Sequence, residues 1–571
     1  MITVKDHQTE RLFDSWGHFG PKRRNLLEKS WAGVFRQYLF EKLPVHKVAR
    51  HFDEVMGRPS KELYTAIGVL MLQQFQDLSD PEVPIALAFN EQWHYALDIT
   101  DESDASKYIS ERTLRTYRRI LIKEGLDCVL FETLTDSLII VFGADTSKQR
   151  LDSTLIQSNM RKLGRIRIFA TTIRKFLKKL KRKHPDLFDT LVASEFTDRY
   201  LAKESEGCFS RVKPSESSQT LDELAHDLVH LVELFSSHDT VSSLSEYKLL
   251  ERVLREQCQI TGSGTDTKID IKQSKEVSPD SLQNPYDPDA GYDSYKGQGY
   301  QVQIMETYQT ENKDKKKPDL ITYVEVEPAH KHDAHALQPA IEAVRERDCC
   351  PEELICDTLY GSDDNVQKAA AKGVEVVAPL AGHAPSDDTN LSNFTFDETT
   401  HFVTRCPEGH KPDTVRRTRT KRIQARFNKN ICCTCPRITN CPIQLGKKAS
   451  YLRYDDKALR LSQRRVYEQT REFKDRFRWR AGIEGTNSHL KSDVGAKRLR
   501  VRGMESVRFA VILKALGLNI MRCVKALSSC LHPYFTQIYT LKNITVTRIN
   551  KLYAISHILL SKNKYNYKFY L

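Results

Sequence analysis

The chain has 571 residues, more than one hydrophobic core normally supports, so two or three domains are expected. Its 88 lysines and arginines against 75 aspartates and glutamates give a formal charge of +13, which suits a polyanionic partner. The sequence contains no amino-terminal signal pattern and no run of about 20 apolar residues, which argues against a secreted or membrane-spanning protein and predicts a cytoplasmic one. In a reducing compartment, the 13 cysteines are expected to be thiols or metal ligands rather than disulfides.

The first 135 residues are predicted to be helical. Apolar residues recur at helical spacing in Leu63–Leu72 and again in Glu82–Asn90, and Ser110 is a good N-cap for a third helix. This third helix carries four basic residues, which favour contact with a DNA backbone, namely Arg112, Arg115, Arg118 and Arg119. A plain helical bundle with a charged exterior is the alternative.

Two apolar runs then predict strand structure, Leu138–Phe142 and Gln149–Ile156. Asp145 follows the first run, and Asp152 ends a short apolar stretch in the second, where a strand is expected to deliver its carboxylate to the edge of a sheet. The two acids compete for a role in catalysis. The following residues, 160–260, are strongly helical and begin with a basic helix over Met160–Lys183. Residues 260–283 are polar and are predicted to form a flexible link.

A second acid is placed by the next strands. Residues 301–307 and 320–326 predict a hairpin whose tip is the charged segment Glu311–Lys317. Asp357 then ends the apolar run Leu354–Cys356, as a buried strand would deliver a carboxylate to the edge of a sheet. A helix and a short strand at 374–378 follow, and strands joined through a helix suggest a parallel pair. Between the hairpin and Asp357 stand three histidines that suggest zinc, but a loop with Asp333 as the N-cap of the next helix is favoured.

A cysteine-rich segment predicts a structural metal site. Cys432 and Cys435 have the C-x₂-C spacing of zinc sites, and Cys406 and Cys441 can complete a set of four thiolates. Cys433 or His410 can replace one member, so the sequence leaves the fourth ligand open. A cluster of free thiols in a loop is the alternative.

A later helix supplies the third acid. Arg480, Glu484, Asn487 and Lys491 stand at i, i+4, i+7 and i+11, so they share one helix face. One carboxylate between two cations suits a place where a metal ion meets a phosphate backbone, although a solvated helix with i,i+4 ion pairs has the same pattern. Asp152, Asp357 and Glu484 together offer three oxygen donors, the ligand type that Mg²⁺ or Mn²⁺ prefers.

These motifs resemble those of bacterial insertion-sequence DDE transposases. The stretch from Phe477 to Lys491 resembles the family's Y-(2)-R-(3)-E-(6)-K signature, with Phe477 in place of the Tyr. Asp152 in LDST, Asp357 in DTLYGS and Glu484 match the first, second and third acids, which favours Asp152 over its competitor Asp145. A passage D-P-D-A…K-x-x-x-G-Y also matches, which makes Lys296 a candidate phosphate contact. The likeness extends from about residue 40 to 525.

The resemblance implies an α/β fold with an RNase H-like mixed sheet, flanking helices, an N-terminal all-α domain, a helical insertion and a Cys-rich, zinc-ribbon-like insertion. The expected boundaries are 1–135 for the DNA-binding helical domain, 136–159 and 284–380 for the catalytic core, 160–283 for the helical insertion and linker, 381–465 for the Cys-rich insertion, 466–525 for the catalytic helix region and 526–571 for a tail without an assigned role.

The function implied is DNA transposition: strand cleavage and strand transfer that depend on Mg²⁺ or Mn²⁺, with Arg480, Asn487, Lys491 and Lys296 on DNA and zinc only structural. The expected partners are double-stranded DNA, both terminal inverted repeats and target, and at least a second protomer in a synaptic complex within the bacterial nucleoid. Two alternatives stay open, a catalytically inactive DNA-binding descendant of a transposase and an RNase H-like nuclease that cuts without joining.

Overall fold

The computed structural model describes residues 1–7, 9, 13–202, 209, 212–261, 268–310, 317–382 and 390–529. The fold is α/β, with a mixed sheet and many helices. The chain begins with nine helices: α1 (Pro21–Glu28), α2 (Trp31–Tyr38), α3 (Val45–Ala49), α4 (Leu63–Phe75), α5 (Glu82–Phe89), α6 (Glu91–Ala96), α7 (Asp104–Lys107), α8 (Glu111–Lys123) and α9 (Leu126–Phe142). Ser110 caps α8 as predicted, because its hydroxyl accepts a hydrogen bond from the Thr113 amide.

Strand β1 (Lys148–Ile156) leads into a second helical region with its own hydrophobic core. This region contains α10 (Arg165–Lys183), α11 (Pro185–Leu191), α12 (Ser194–Phe196), α13 (Ser217–Phe235), α14 (Asp239–Ser242) and α15 (Ser245–Gln257). It ends in an antiparallel pair formed by β2 (Cys258–Thr261) and β3 (Lys268–Ile271). The prediction of a flexible link over 260–283 is therefore wrong for the residues of this pair.

The main sheet is completed by β4 (Gly291–Asp293), β5 (Gly297–Thr307), β6 (Ile321–Pro328), β7 (Glu353–Cys356) and β8 (Glu375–Val377). The strand order is β4-β5-β1-β7-β8, and β6 also pairs with β5. The strands β4, β5, β6 and β1 pair antiparallel, whereas β1, β7 and β8 pair parallel, which confirms the predicted parallel arrangement. Helix α16 (Leu337–Arg345) connects β6 to β7, and helix α17 (Asp363–Ala370) connects the parallel strands β7 and β8. Both helices cover one face of the sheet. The predicted hairpin tip at 311–316 lies outside the described residues.

The cysteine-rich segment contains β9 (Thr395–Phe396), β10 (Val403–Arg405), β11 (Thr414–Arg417), β12 (Ile423–Phe427), α18 (Lys429–Cys433), β13 (Gln444–Leu445) and β14 (Ser450–Tyr454). A four-stranded antiparallel sheet has the order β11-β12-β14-β13, and β9 pairs with β10. The small core of this segment includes Cys432, and Cys406 and Cys441 pack against it.

The chain continues with α19 (Asp456–Tyr467), α20 (Arg471–Phe477), a 3₁₀ turn at Arg478–Ala481, α21 (Gly482–Ser492) and α22 (Met504–Ser529). Apolar residues of α22 share one hydrophobic core with the N-terminal helices and with β5 and β6. The first and last described parts of the chain therefore complete the same core. Residues 530–571, which include most of the predicted tail, lie outside the described residues.

The prediction of a strand at Leu138–Phe142 is wrong, because these residues form the last turns of α9. Gly143 ends this helix with φ +58°, a left-handed backbone that a glycine adopts without steric cost. A continuous apolar run does not distinguish a buried helix from a strand. No helix in the described ranges is long and apolar enough to span a membrane.

Candidate active site

Two aspartates lie side by side because β1 and β7 run parallel. Leu151 is paired with Cys356, so Asp152 and Asp357 are the next residues on adjacent strands. Leu151 and Cys356 are fully buried against the helices on one face of the sheet. Because side chains alternate along a strand, both carboxylates belong to the opposite face. Asp357 directly follows β7 as predicted, but the strand-end position predicted for Asp152 is wrong, since it is the fifth residue of nine in β1.

The helical acid reaches these aspartates through Arg480. The Nη2 atom of Arg480 lies 3.5 Å from Asp152 Oδ2 and 3.7 Å from Asp357 Oδ2. Its Nη1 atom lies 3.5 Å from Glu484 Oε1, four residues further along the helix. The three predicted acids, far apart in sequence, therefore converge on one guanidinium. Their exposure differs, since the side chains of Asp152, Asp357 and Glu484 are 13%, 41% and 68% exposed.

Asp152 is the most enclosed of the three acids. Asn487 Nδ2 donates a hydrogen bond of 3.3 Å to Asp152 Oδ2, so this predicted DNA contact is buried beside the acid instead of facing solvent. Burial raises the pKa of the Asp152 carboxyl above its ordinary value, and the nearby Arg480 partly opposes that shift. Asp357 and a further acid, Asp333, raise the same pKa by repulsion. Folding thus holds Asp152 where its negative charge is unfavourable without a further cation.

Lysines border the acid cluster. Lys296 Nζ lies 2.9 Å from Ser153 Oγ, next to Asp152 in sequence, and 3.2 Å from Asp333 Oδ2. Lys491 is partly buried, which lowers its pKa, and the neighbouring charges of Lys497 and Lys296 lower it further. Both predicted lysines therefore lie near each other and near Asp152, and Lys497 adds a third positive charge that the motif did not single out.

Asp333 is a site residue that sequence reasoning missed. Its prediction as a simple N-cap is wrong, because the 3₁₀ turn that it begins is capped by the His332 side chain. Asp333 accepts hydrogen bonds from Lys296 and from Gln303 Nε2 at 3.1 Å, and Tyr360 donates to Gln303 Oε1 at 2.6 Å. Asp333, Gln303 and Tyr360 therefore form a buried polar network next to the acid cluster. The available signal was an aspartate at a turn between a strand and a helix, the same context that singled out Asp357.

A buried group of ions holds the helix of Glu484 against the sheet. Glu306 on β5 is fully buried, and Arg150 Nε on β1 donates to its Oε1 at 2.7 Å. Arg522 on α22 pairs with Glu306 Oε2 at 2.8 Å. Thr486 on α21 also donates to Glu306 at 2.6 Å, and Arg150 donates to the carbonyl of Trp479 at 2.8 Å. We call Arg150, Glu306 and Arg522 the ion clamp, because it joins two strands, α22 and the start of α21.

Close packing at the start of α21 requires a glycine. A Cβ atom on Gly482 would lie 2.0 Å from Arg150 Nη1, whereas a Cβ on Gly485 would have no neighbour within 4 Å. Phe477, which stands where the family has Tyr, stacks on Phe473 with ring centroids 5.5 Å apart. It belongs to a small apolar group that also contains Trp479.

The four predicted zinc cysteines, Cys406, Cys432, Cys435 and Cys441, surround one small cavity of about 30 Å³, together with His410. Cys433, the alternative ligand, is exposed. Burial raises the pKa of the Cys432 and Cys441 thiols, and the neighbouring cysteines raise it further. The cluster is thus assembled from separate parts of the segment, and no disulfide joins the cysteines in the part of the chain that the structure describes.

The side chains of the two candidate metal sites are not arranged to hold an ion as they stand. Within the described ranges, no group of three or more His, Cys, Asp or Glu side chains has a metal-binding arrangement. At the acid cluster the reason is visible, because the Arg480 guanidinium occupies the position between the carboxylates.

Two of the four arginines of the predicted DNA-binding helix α8 already form ion pairs with carboxylates of the protein. Arg118 and Arg115 form ion pairs with Asp80, and Arg115 also pairs with Glu111. Arg112, Arg115 and Arg119 are exposed, whereas Arg118 is partly buried. The competitor Asp145 accepts a hydrogen bond from the Ser147 amide in the turn before β1 and is not in contact with the acid cluster.

Comparison with known proteins gives one match to a family model, described as a transposase DDE domain, over residues 405–524. The matched range contains the four cysteines, Arg480, Glu484 and Lys491, and it stops short of Asp152 and Asp357. No curated protein matches the chain.

Proposed function

We propose that this chain, which carries the DDE domain of a DDE-type insertion-sequence transposase, cuts DNA strands at the ends of an element and joins them to target DNA. One observation carries the proposal: Asp152, Asp357 and Glu484 converge on Arg480 from two strands and a helix. Three carboxylates at a basic surface suit phosphoryl transfer on a polyanion.

An RNase H-like core is part of the proposal. Its support is the order β6-β5-β1-β7-β8, in which three antiparallel strands precede two parallel ones, with the acids on the central pair. The proposed boundaries stay those expected from the sequence, with residues 160–283 as a helical insertion and 381–465 as a Cys-rich one. Residues 1–135 are proposed to bind the terminal repeats, and Arg112, Arg115 and Arg119 are the exposed arginines of α8.

The donor set at the acid cluster fits Mg²⁺ or Mn²⁺, since hard divalent ions prefer carboxylate oxygens. Asp152, Asp357 and Glu484 would hold the metal, and when bound it activates the attacking water or 3′-hydroxyl and stabilises the leaving oxygen. The raised pKa of Asp152 supports this assignment, because the buried carboxylate is incompletely neutralised by Arg480. Arg480 has an alternative partner in a DNA phosphate, to which a guanidinium donates two parallel hydrogen bonds.

The surrounding residues position DNA and the acids. Lys296, Lys491 and Lys497 place positive charge beside Asp152 and would bind backbone phosphates. Asn487 orients Asp152 through its hydrogen bond, and the ion clamp holds Glu484 in register with the sheet. Lys296 is shared between Ser153 and Asp333, so phosphate binding at this lysine would compete with its hold on Asp333.

A structural zinc ion is proposed at Cys406, Cys432, Cys435 and Cys441. Four thiols around one small cavity match the ligand set of closed, non-catalytic zinc sites. Elemental analysis of the purified protein is expected to give one zinc per chain, and Cys435→Ser is expected to lose it. The exposed Cys433→Ser is the matched control and should keep the metal. A wild-type protein without zinc would contradict this proposal.

Two protomers are proposed to bring the two ends of an element together, in the cytoplasm at the bacterial nucleoid. The alternatives differ in measurable ways from the proposal: an inactive descendant binds DNA without cutting it, and a nuclease cuts without joining.

The proposal is tested with purified full-length protein and duplex DNA copied from the sequence that flanks its own coding region. Cleavage is expected with Mg²⁺ or Mn²⁺, and pre-cut ends with a free 3′-hydroxyl are expected to be joined to a supercoiled plasmid. Asp357→Asn should lower both reactions at least about a thousandfold, while DNA binding changes little. Asp145→Asn is the control and should retain activity. Cleavage without joining would favour the nuclease, and retained activity in Asp357→Asn would remove this residue from the site.

A further inference from the structure

A second cavity, of about 340 Å³, lies between the N-terminal half of α10 and the loop that follows residue 283. Among the described residues that line it, four are arginines and none is an aspartate or a glutamate. The polar and aromatic lining includes Arg161, Arg167, Arg502, Asn284 and Tyr286. This composition is unusual for a chain with 75 acidic residues, and it marks a place suited to an anionic ligand.

The loop at the cavity is firmly built. Asn284 Nδ2 donates to the carbonyl of Arg161 at 2.8 Å, and its Oδ1 accepts from the Tyr286 amide at 2.9 Å. Lys175 Nζ donates to the carbonyl of Pro285 at 2.6 Å. The fully buried Asp287 accepts from the Tyr300 hydroxyl at 2.5 Å and from the Gly503 amide at 3.1 Å. The loop is therefore tied to α10, to β5 and to the start of α22.

This loop holds an aromatic ring open to solvent between two cations. Tyr286 is 46% exposed, although the residues on either side of it are fixed. Lys175 Nζ lies 5.3 Å from the centre of its ring, and Arg502 Cζ lies 6.0 Å from it. A rigid, exposed aromatic ring beside positive charge is the arrangement on which proteins stack unpaired bases.

Three of the four arginines that line the cavity matter for its charge, Arg161, Arg167 and Arg502. Arg161, Arg167 and Arg502 form no ion pair with a carboxylate in the described parts of the chain, although Arg502 donates to the carbonyl of Asn159. The positive charge of these side chains is therefore balanced by solvent ions, which a phosphate would release on binding.

The cavity is connected to the acid cluster by strand β1 and by the basic segment that runs beside the end of this strand. Beyond Ile156, Gln157 continues β1 in a parallel bridge with Arg498, and the Asn159 amide donates to the carbonyl of Val501. The basic segment from Lys497 to Arg502 thus runs from the lysines near Asp152 to the cavity. Asp152 and Ser158 are separated by about six strand residues of about 3.3 Å each, which gives a distance of roughly 20 Å. That distance is the length of about six base pairs of a DNA duplex.

We propose that this cavity receives one unpaired nucleotide of the DNA bound at the acid cluster, with the base against Tyr286 and its phosphate among Arg161, Arg167 and Arg502. The inference rests on the proposed function, since it takes DNA as the partner. A duplex does not fit, because its major groove alone is about 12 Å wide, whereas the cavity has the volume of a small-molecule site. Only a nucleotide that has left the stack combines the required size, negative charge and flat aromatic face.

The test compares two short fluorescent duplexes that are identical except for one extrahelical adenine in the middle of the second. The wild-type full-length chain is expected to bind the bulged duplex about tenfold more tightly than the paired one. Tyr286→Ala and Arg167→Ala should each remove most of that preference and leave binding to the paired duplex within about twofold. Tyr286→Phe keeps the ring and should keep the preference. Arg182→Ala, at the far end of the same helix α10, is the matched control and should behave as wild type.

Any other result of the binding experiment contradicts either the nucleotide site or the proposed function. Equal binding of both duplexes by the wild-type protein, or unchanged preference in Tyr286→Ala and Arg167→Ala, overturns the nucleotide site while the proposed function stands. Equal weakening of both duplexes by these variants also overturns it, since it shows backbone contact only. A wild-type protein that binds neither duplex overturns the proposed function itself.

Discussion

The two sides of the acid cluster are held in place by different means. Asp152 lies in β1 and Asp357 directly follows the neighbouring parallel strand β7, so the backbone ladder of the sheet places both residues. Glu484 is 68% exposed on a helix whose first turn is fixed by the buried ion clamp of Arg150, Glu306 and Arg522. The positions of the two aspartates therefore depend on secondary structure, whereas the position of Glu484 depends on a few buried polar contacts. Substitutions in the ion clamp should therefore displace Glu484 and leave Asp152 and Asp357 in place.

The largest effect is expected from Glu306→Gln. The change leaves the buried Arg150 and the partly buried Arg522 facing a neutral amide, and breaking a buried pair in this way costs about 3–5 kcal/mol. The helix of Glu484 should loosen, so cleavage should fall even where the protein stays folded. Urea unfolding gives the free energy of unfolding, and a cleavage assay below the unfolding transition gives the activity. Glu375→Gln is the control, because Glu375 is 61% exposed in its pair with Arg476 and should cost at most about 1 kcal/mol.

A smaller effect is expected from Gly482→Ala. The new Cβ would meet the Arg150 guanidinium, which Glu306 and the Trp479 carbonyl prevent from moving freely, and such overpacking costs about 1–3 kcal/mol. Gly485→Ala in the same helix meets nothing and should stabilise the protein by up to about 1 kcal/mol. Thermal unfolding of the pair measures the difference. Equal stability of the two variants would show that the start of α21 adjusts easily and that the clamp is not rigid.

The smallest expected change in stability comes from Asp152→Asn, which alters only the acid that lies on strand β1. Because burial raises the pKa of Asp152, its ionised form is less favourable in the folded protein than in the unfolded chain. Asp152→Asn should therefore abolish cleavage yet raise the free energy of unfolding at neutral pH. The gain should shrink as the pH falls and vanish below about 4, where Asp152 is protonated in both the folded and the unfolded states. Urea unfolding at several pH values tests this, and a loss of stability at neutral pH would mean that Arg480 already neutralises the acid fully.

Much of this site was predictable because its residues stand in short local patterns. The helix face of Arg480, Glu484 and Lys491 follows from a period of 3.6 residues, and Asp357 follows from an apolar run that ends in an acid. The middle position of Asp152 was not predictable, because it depends on where β7 ends relative to β1. Asp333 was missed for the same reason, since a pairing between distant strands brings it to the cluster.

The ion clamp was also not predictable from the sequence. Arg150, Glu306 and Arg522 come from three distant segments, and single charged residues in apolar strands carry no periodic signal. The run Leu138–Phe142 shows the opposite error, in which a clear apolar signal fitted two structures and only the cap at Gly143 identified the helix. The arginines of α8 show a third limit, because counting charges does not reveal that Arg115 and Arg118 already have partners.

The shared core of the N-terminal helices and α22 has a consequence for how the protein is made. Leu70 in α4 and Leu130 in α9 belong to the same buried cluster as Ile512 and Leu516 in α22. At about 5–20 residues per second, a ribosome needs on the order of tens of seconds to pass from α9 to the end of α22. During this interval the nascent helices expose apolar surface that nothing yet covers. Chaperone occupancy of the growing chain should therefore persist until α22 emerges, and messages that end before α22 should yield products prone to degradation.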